Sequence, residues 1–440
     1  MRAVSFKGGV HPSYSKDRSS DCAISELPAP DEIAIPLSQH IGAPAKPCVG
    51  KGDEVLIGQP VGEPAGFVSV PVHSSVSGKV KAIEPRPGAM GQPVMSVIVT
   101  NDGEDRQVDF EGLGDSWKSA DAGDIKELIK NAGLVGMGGA AFPSHVKLSP
   151  PPDKPIDTLI LNGAECEPYL TADHRVMVER PADVLTGLQI AAKVLGAEKL
   201  IVGIERNKPD ALDAISAAAE GTRVEVVALK VKYPQGAEKQ LIDACLERQV
   251  PSAGLPMDVG VVVHNVGTST AIADAVVAGR PLFKRVVTVT GAMVAEPANL
   301  TMRVGTPVAV AIERCKGDLE GTGKLILGGP MMGFTQHTDQ VPVTKGTSGI
   351  LLLAPEDVDT REPGACIRCG RCVEACPMRL VPTDIANLGS RGMYDDADKA
   401  DALDCIECGS CAFDCPARLP LVQEIRLAKA AIMAAKRKQG

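Results

Sequence analysis

Eight of the thirteen cysteines in this 440-residue chain fall between Cys366 and Cys415, in two sets of identical spacing. Cys366, Cys369, Cys372 and Cys376, followed by Pro377, spell CxxCxxCxxxCP, and Cys405, Cys408, Cys411 and Cys415, followed by Pro416, spell it again. Two-residue gaps let one loop wrap three corners of a cubane, and the proline ends that loop by withholding a backbone donor. The pattern is that of paired [4Fe–4S] clusters, in which the fourth cysteine of each set ligates the other cluster. Cluster one then takes Cys366, Cys369, Cys372 and Cys415; cluster two takes Cys405, Cys408, Cys411 and Cys376. Paired zinc sites also use CxxC, but zinc explains neither the third step nor the CP in both copies. Two such clusters carry single electrons and form a wire, which needs a partner or a two-electron converter at its end.

The rest of the composition narrows the setting. Met1 to Pro12 holds Arg2 and Lys7 and no apolar segment of leader length, so the start reads as unprocessed and the cysteines as metal ligands in a reducing compartment. No run of about 18 apolar residues exists, so no membrane span is expected. Net charge is −9, and seven Phe, four Tyr and one Trp leave little for base stacking, which argues against nucleic acid as a partner. With 44% hydrophobic and 23% charged residues the chain is expected to fold, and its length suits several domains.

Four pieces are expected along the chain. Residues 1–120 lack helical periodicity and are broken by Gly and Pro, so a β-rich module is predicted, with short strands within Lys51–Pro60 and Val72–Val80. These segments resemble the biotinyl/lipoyl barrel-sandwich module, but Ser77-Gly78 stands where a carrier presents its lysine, so no carrier role follows. His73, a lone histidine near a turn, reads as a packed residue. Residues 121–280 alternate strands (Thr158–Leu161, Leu200–Ile204, Val224–Leu229, Val259–Val263) with helices (Ala182–Leu195, Pro209–Ala219, Ala237–Glu247, Ser269–Ala278). That alternation predicts a Rossmann-like α/β domain with a mostly parallel sheet covered on both faces. Residues 281–355 carry Arg285–Gly291 and Thr306–Ile312, both expected as strands of a small β-grasp-like domain of the soluble-ligand-binding type. Residues 356–440 hold the cysteines in an α-helical two-cluster ferredoxin-like domain; Leu421, Ile425, Ala428 and Ile432 recur at helical spacing and predict a C-terminal helix covering it.

A converter site is sought in the α/β piece. Gly133-Leu134-Val135-Gly136-Met137-Gly138-Gly139-Ala140-Ala141-Phe142-Pro143 offers backbone amides to a phosphate, though glycine clusters also make plain turns. Asn162-Gly163-Ala164-Glu165-Cys166-Glu167 follows the first sheet strand, Tyr233-Pro234-Gln235-Gly236-Ala237-Glu238 opens a helix, and His264-Asn265-Val266-Gly267-Thr268 follows another strand. In this order the segments resemble the FMN-carrying, NADH-binding subunit of respiratory complex I. With Phe6-Lys7-Gly8-Gly9-Val10-His11-Pro12, the barrel-sandwich module in front and two cysteine sets behind, nearly the whole chain resembles the C subunit of the Rnf/Rsx ion-translocating electron-transport complex.

The resemblance implies FMN contacts from Gly136, Gly138, Gly139, Lys147, Asn162, Glu165, Tyr233, Gly236, Asn265 and Thr268. It places Phe142, Glu167 and Glu238 nearer NADH. Met137, Ala141, Ala164 and Ala237 stand where the complex I motifs have arginine, glycine, aspartate and glutamate. The implied activity is that of an ion-transporting ferredoxin:NAD+ oxidoreductase: FMN exchanges hydride with NAD(H) and single electrons pass between FMN and two clusters, with no general acid or base named. The implied partners are the other Rnf/Rsx subunits, NAD(H), and ferredoxin indirectly through a partner subunit. Membrane contact would come through those partners, on the cytoplasmic side of the cell membrane. A flavin/iron–sulfur cobalamin reductase and a non-catalytic iron–sulfur relay scaffold are the alternatives; the leading position of the barrel-sandwich module argues against the first.

Overall fold

A computed structural model describes residues 3–439. No α-helix among the described residues precedes Ala122–Asn131. Residues 32–101 form two facing antiparallel sheets. One runs Glu32–Pro36, Pro93–Asn101, Gly78–Pro87, Glu54–Val55, and the other Lys46–Pro47, Pro60–Glu63, Val72–His73. Alternate residues such as Ile33, Ile35, Val97 and Val99 point inward and are fully buried, the two-residue period of half-buried strands. The Ser77-Gly78 turn is closed: Ser77 is buried and its hydroxyl donates to Asp102 Oδ1 at 2.6 Å.

The α/β part has four strands in the order Val224–Leu229, Lys199–Glu205, Thr158–Gly163, Val261–Asn265, every pair parallel. Both faces are covered, so the strands are apolar almost throughout. Pro181–Leu195, Pro209–Ala219 and Val266–Ala278 share one core with Leu159, Leu161, Leu200 and Val202; Leu241 and Ile242 of Glu238–Leu246 pack on the other face with Ile160, Ile201 and Val263. Pro181–Leu195 and Val266–Ala278 touch so closely at Gly187 that a Cβ there would lie 1.8 Å from the Ser269 carbonyl oxygen. The fourth strand starts later than expected, at Val261, because Pro256–Val259 forms a 3₁₀ turn that ends at Gly260 in the left-handed region.

The third part is a six-stranded mixed sheet: Ile24–Glu26, Ala298–Arg303, Lys284–Thr290, Gly349–Leu353, Lys324–Leu327, Phe334–Gln336. Its central pair, Lys284–Thr290 and Gly349–Leu353, is parallel and crossed by the helix Val308–Arg314. This is a β-grasp arrangement, but it corrects one expected element. Thr306–Ile312 is not a strand: Pro307 caps a helix whose buried residues, Val308, Ala311 and Ile312, recur at three and four. The alternating Val-Ala-Val-Ala looked two-periodic only because alanine suits either face.

The cysteine region is helical. Pro382–Ser390, Tyr394–Lys399 and Ser410–Phe413 pack on the long helix Leu421–Gln439, and Arg371–Ala375 packs on Ser410–Phe413 and Pro382–Ser390; Leu421, Ile425, Ala428 and Ile432 of the long helix are buried as the periodicity predicts. Residues 3–31 run across the other parts. Val4 bridges Leu229 at the edge of the parallel sheet, Val10 bridges Tyr233, and Ile24–Glu26 joins the six-stranded sheet.

Candidate functional site

The strand order of the parallel sheet reverses between Thr158–Gly163 and Val261–Asn265, and ligands of open α/β sheets bind outside the carboxyl ends of the strands at such a point. The last residues paired across that switch point are Asn162 and Asn265. Asn265 caps Val266–Ala278: its Oδ1 accepts from Gly267 N at 2.8 Å and Thr268 N at 3.3 Å, and its Nδ2 donates to Asp173 Oδ2 at 2.6 Å. Thr268 Oγ1 accepts from Met137 N at 2.9 Å, which draws the glycine-rich loop onto the helix start. Gly136 N closes the loop on Phe142 O at 2.8 Å.

This loop fits an anionic ligand. A Cβ on Gly138 would stand 3.0 Å from Asn265 Cβ, while Gly139, at φ +156°, faces open space. Among the described residues the amides of Gly138 and Gly139 find no backbone acceptor. Free amides above a helix start favour a phosphate. Lys147 lies across the site, ion-paired with Glu238. His264, one residue before the cap, is buried with Nε2 unpartnered, and burial, with the Lys147 charge, holds it down at about 3.

The acidic loop after Asn162 is fixed by its neighbours. Asn162 Nδ2 donates to Gly236 O at 2.7 Å, and Gly236 N donates to Cys166 Sγ at 3.4 Å. Glu165, at φ +44°, caps the helix Ala172–Glu179 through Asp173 N at 2.7 Å and His174 N at 3.2 Å. Glu167 accepts from Met331 N and Met332 N at 3.1 and 2.9 Å, and burial pushes it up to about 7. Lys16 was missed from the sequence. Its ammonium donates to the carbonyls of Glu165 and Glu167 at 2.9 Å each and to that of Leu170, so the loop wraps around it. Burial raises the Glu165 carboxyl and lowers the Lys16 ammonium.

The structure thus brings together Gly136, Gly138, Asn162, Glu165, Gly236, Asn265 and Thr268, with Lys147 and Glu238 paired nearby. Tyr233 differs in where its side chain goes: the phenol donates to Cys408 O at 2.7 Å, toward the cysteine region. Glu167 is engaged with the Met331–Met332 loop. Met137 and Ala164, two of the departures from the complex I motifs, are buried.

The eight cysteines line two cavities. Cys366, Cys369, Cys372 and Cys415 surround one of about 200 Å³; Cys376, Cys405, Cys408 and Cys411 surround another of about 20 Å³. Each set therefore lends its fourth cysteine to the other cavity. Among the described residues no group of three or more His, Cys, Asp or Glu side chains is arranged to hold a single metal ion. The two loops follow the same course. Arg368 and Glu407 lie at φ +54° and +57°, Gly370 and Gly409 at +80° and +81°, and Arg368 N and Glu407 N each donate to the preceding cysteine sulfur at 3.4 Å. Hydrogen bonds to sulfur are among the features that set cluster potentials. Cys366 and Cys369 are exposed, whereas Cys376, Cys408 and Cys411 are buried.

Four family models match the chain: the RnfC barrel sandwich hybrid domain over residues 4–104, the Nuo51 FMN-binding domain over 129–274, the SLBB domain over 286–335 and the 4Fe-4S dicluster domain over 359–416. The C subunit of the Na(+)-translocating ferredoxin:NAD(+) oxidoreductase complex of Acetobacterium woodii is 51% identical, covering 98% of this chain and 98% of its own. The C subunit of the proton-translocating ferredoxin:NAD(+) oxidoreductase complex of Clostridium ljungdahlii is 50% identical over 89% of this chain and 86% of its own. The C subunit of the ion-translocating oxidoreductase complex of Rhodobacter capsulatus is 42% identical over 98% and 84%. Among solved structures, an NAD+-reducing [NiFe]-hydrogenase in the H2-reduced state superposes with TM-score 0.49 at 20% identity, covering 72% of this chain and 67% of that one.

Proposed function

The chain belongs to the family of C subunits of ion-translocating ferredoxin:NAD+ oxidoreductase complexes, and on that footing we propose that it is the peripheral electron-transfer subunit of such a complex. FMN, when bound, converts between the two-electron chemistry of NAD(H) and the one-electron steps that two [4Fe–4S] clusters relay. The chain's own residues bind and orient. Gly136, Gly138 and Gly139 offer amides to the FMN phosphate, beside the positive charge of Lys147. Asn162, Glu165, Gly236, Asn265 and Thr268 hold the crevice walls, with Tyr233 at the side facing the clusters. Phe142, Glu167 and Glu238 are assigned to the nicotinamide nucleotide. No side chain is assigned as a general acid or base.

The observation that carries this reading is the crossed lining of the two cavities, three cysteines from one set and the fourth from the other, which suits a two-cluster relay. The buried second cavity sits against the α/β part and the exposed first cavity faces out, so electrons would leave or enter through Cys366 and Cys369. No helix among the described residues is long and apolar enough to cross a membrane; association with a membrane would come through the other subunits, on the cytoplasmic side. Ferredoxin would reach this chain indirectly, through one of them. The four-part division at residues 120, 280 and 355 and the duplication of the cluster motif belong to the same reading.

Anaerobic purification with metal and flavin analysis tests it. About eight irons and about one FMN per chain, with absorbance bleached by NADH, are expected. Zinc in place of iron, or a chain that never retains flavin, overturns it.

A further inference from the structure

Gly8 and Gly9 sit where three parts of the molecule meet. Gly9 N donates to Ala375 O at 2.8 Å, one residue before the cluster ligand Cys376; Val10 and Tyr233 exchange backbone hydrogen bonds at 2.8 and 2.9 Å. Both glycines lie in the left-handed region, at φ +83° and +80°. A Cβ on Gly8 would stand 2.7 Å from Cys376 O, and one on Gly9 would stand 2.5 Å from Tyr233 O. Backbone lies on both sides, so nothing can swing away. Upstream, Lys232 anchors the segment by donating to Phe6 O at 3.1 Å and lying over the Phe6 ring. Downstream, Val10, Tyr233, Ala375 and Cys408 form a small apolar cluster to which Cys166 of the acidic loop adds. The Tyr233 phenol closes the junction on Cys408 O at 2.7 Å.

We propose that Gly8 and Gly9 are positioning residues for electron transfer. The strap they form, wedged between Tyr233 and the Cys376–Pro377 turn, sets the separation between the flavin crevice and the second cluster. The proposal rests on the function given above. The step is a one-electron transfer in which reduced flavin loses an electron, its proton passes to solvent, and one ferric iron of the second cluster becomes ferrous. Transfer between fixed centres depends on their separation: a side chain at Gly8 meets the Cys376 carbonyl and pushes the cluster loop outward, and one at Gly9 meets the Tyr233 carbonyl and pushes the strap off the flavin side, so either slows this step.

The test uses the full chain loaded anaerobically with FMN and iron, mixed rapidly with NADH, with flavin and cluster absorbance followed separately. In Gly8→Ala flavin reduction by NADH is expected at the wild-type rate, and in both Gly8→Ala and Gly9→Ala cluster reduction slows, toward the roughly hundredfold that a displacement of about 1 Å can cost where a reaction needs fixed geometry. Gly52→Ala is the control. It carries the same backbone strain, at φ +98°, but faces open space in the barrel, and it is expected to leave both rates unchanged. Should neither strap variant load its cofactors, Val10→Ala decides, since it loosens the apolar cluster without backbone strain: slower cluster reduction supports the proposal and a wild-type rate overturns it. Loaded Gly8→Ala at the wild-type rate, or Gly52→Ala slowed equally, also overturns it. A loaded wild-type chain that passes no electron from flavin to clusters overturns the functional reading itself, and the strap with it.

Discussion

Cys376 belongs to the first cysteine set in sequence and to the second cavity in space, so its loss is expected to mimic loss of Cys408 rather than of Cys366. In Cys376→Ser and Cys408→Ser the electron paramagnetic signal of the same cluster should vanish, and in Cys366→Ser and Cys415→Ser that of the other. Pairing by sequence set in those spectra would refute the crossed assignment. His73 makes a second residue-scale point. It is packed, as a lone histidine near a turn suggested, and burial, aided by the Lys345 charge, holds it at about 3. Between about 3 and 6.5 the unfolded chain takes up a proton that the folded chain refuses, so its contribution to stability falls as pH drops, by about 1.4 kcal/mol per unit below 6.5. His73→Gln removes that contribution. The difference in unfolding free energy between wild type and variant, measured by urea titration, should shrink by about 1.4 kcal/mol from pH 7.5 to pH 5.5; an unchanged difference would contradict the assigned burial.

Among elements, the helix Leu421–Gln439 closes the cysteine region with a stripe that the sequence spells out. Ile425 is 1% exposed, and truncating a buried isoleucine costs about 2–5 kcal/mol. Ile425→Ala is therefore expected to loosen the cluster domain, and iron release to a chelator should quicken while FMN stays bound. Equal release from variant and wild type would mean that the cysteine loops hold without the helix. The start of Val266–Ala278 has two jobs. Asn265→Ala removes an N-cap worth about 1 kcal/mol and the contact to Asp173, so both melting temperature and FMN retention should fall; a fall in one alone would separate capping from binding. These elements were legible because their signals are local: cap, period and spacing lie within one stretch of chain. Thr306–Ile312 was misread for the same reason, since Val-Ala alternation satisfies both periods until a neighbouring sheet selects one.

Over the whole molecule, buried ammonium groups tie parts together. Lys345 is fully buried, donates to Pro71 O at 2.8 Å and Gly133 O at 2.7 Å, and so joins the β-grasp part to the barrel and to the edge of the glycine-rich loop. Lys345→Ala leaves two buried carbonyls without their donor and opens a cavity, at a cost of about 2–5 kcal/mol. Its melting temperature should drop and its FMN affinity weaken together, whereas loss of stability alone would show that the glycine loop does not depend on this tie. The spacing of the cysteine sets, the parallel sheet and the β-rich module were legible from residues close together in the chain, because metal spacing, hydrophobic period and turn chemistry act over a few residues, whereas the FMN residues were implied by the family resemblance. What the tertiary structure alone decided is where residues 3–26 run, which puts Lys16 inside the acidic loop and Gly8–Gly9 against the turn that carries Cys376 into the second cavity. Those contacts join residues from about 150 to more than 300 positions apart, and chain connectivity at that range carries no local pattern from which packing could be read.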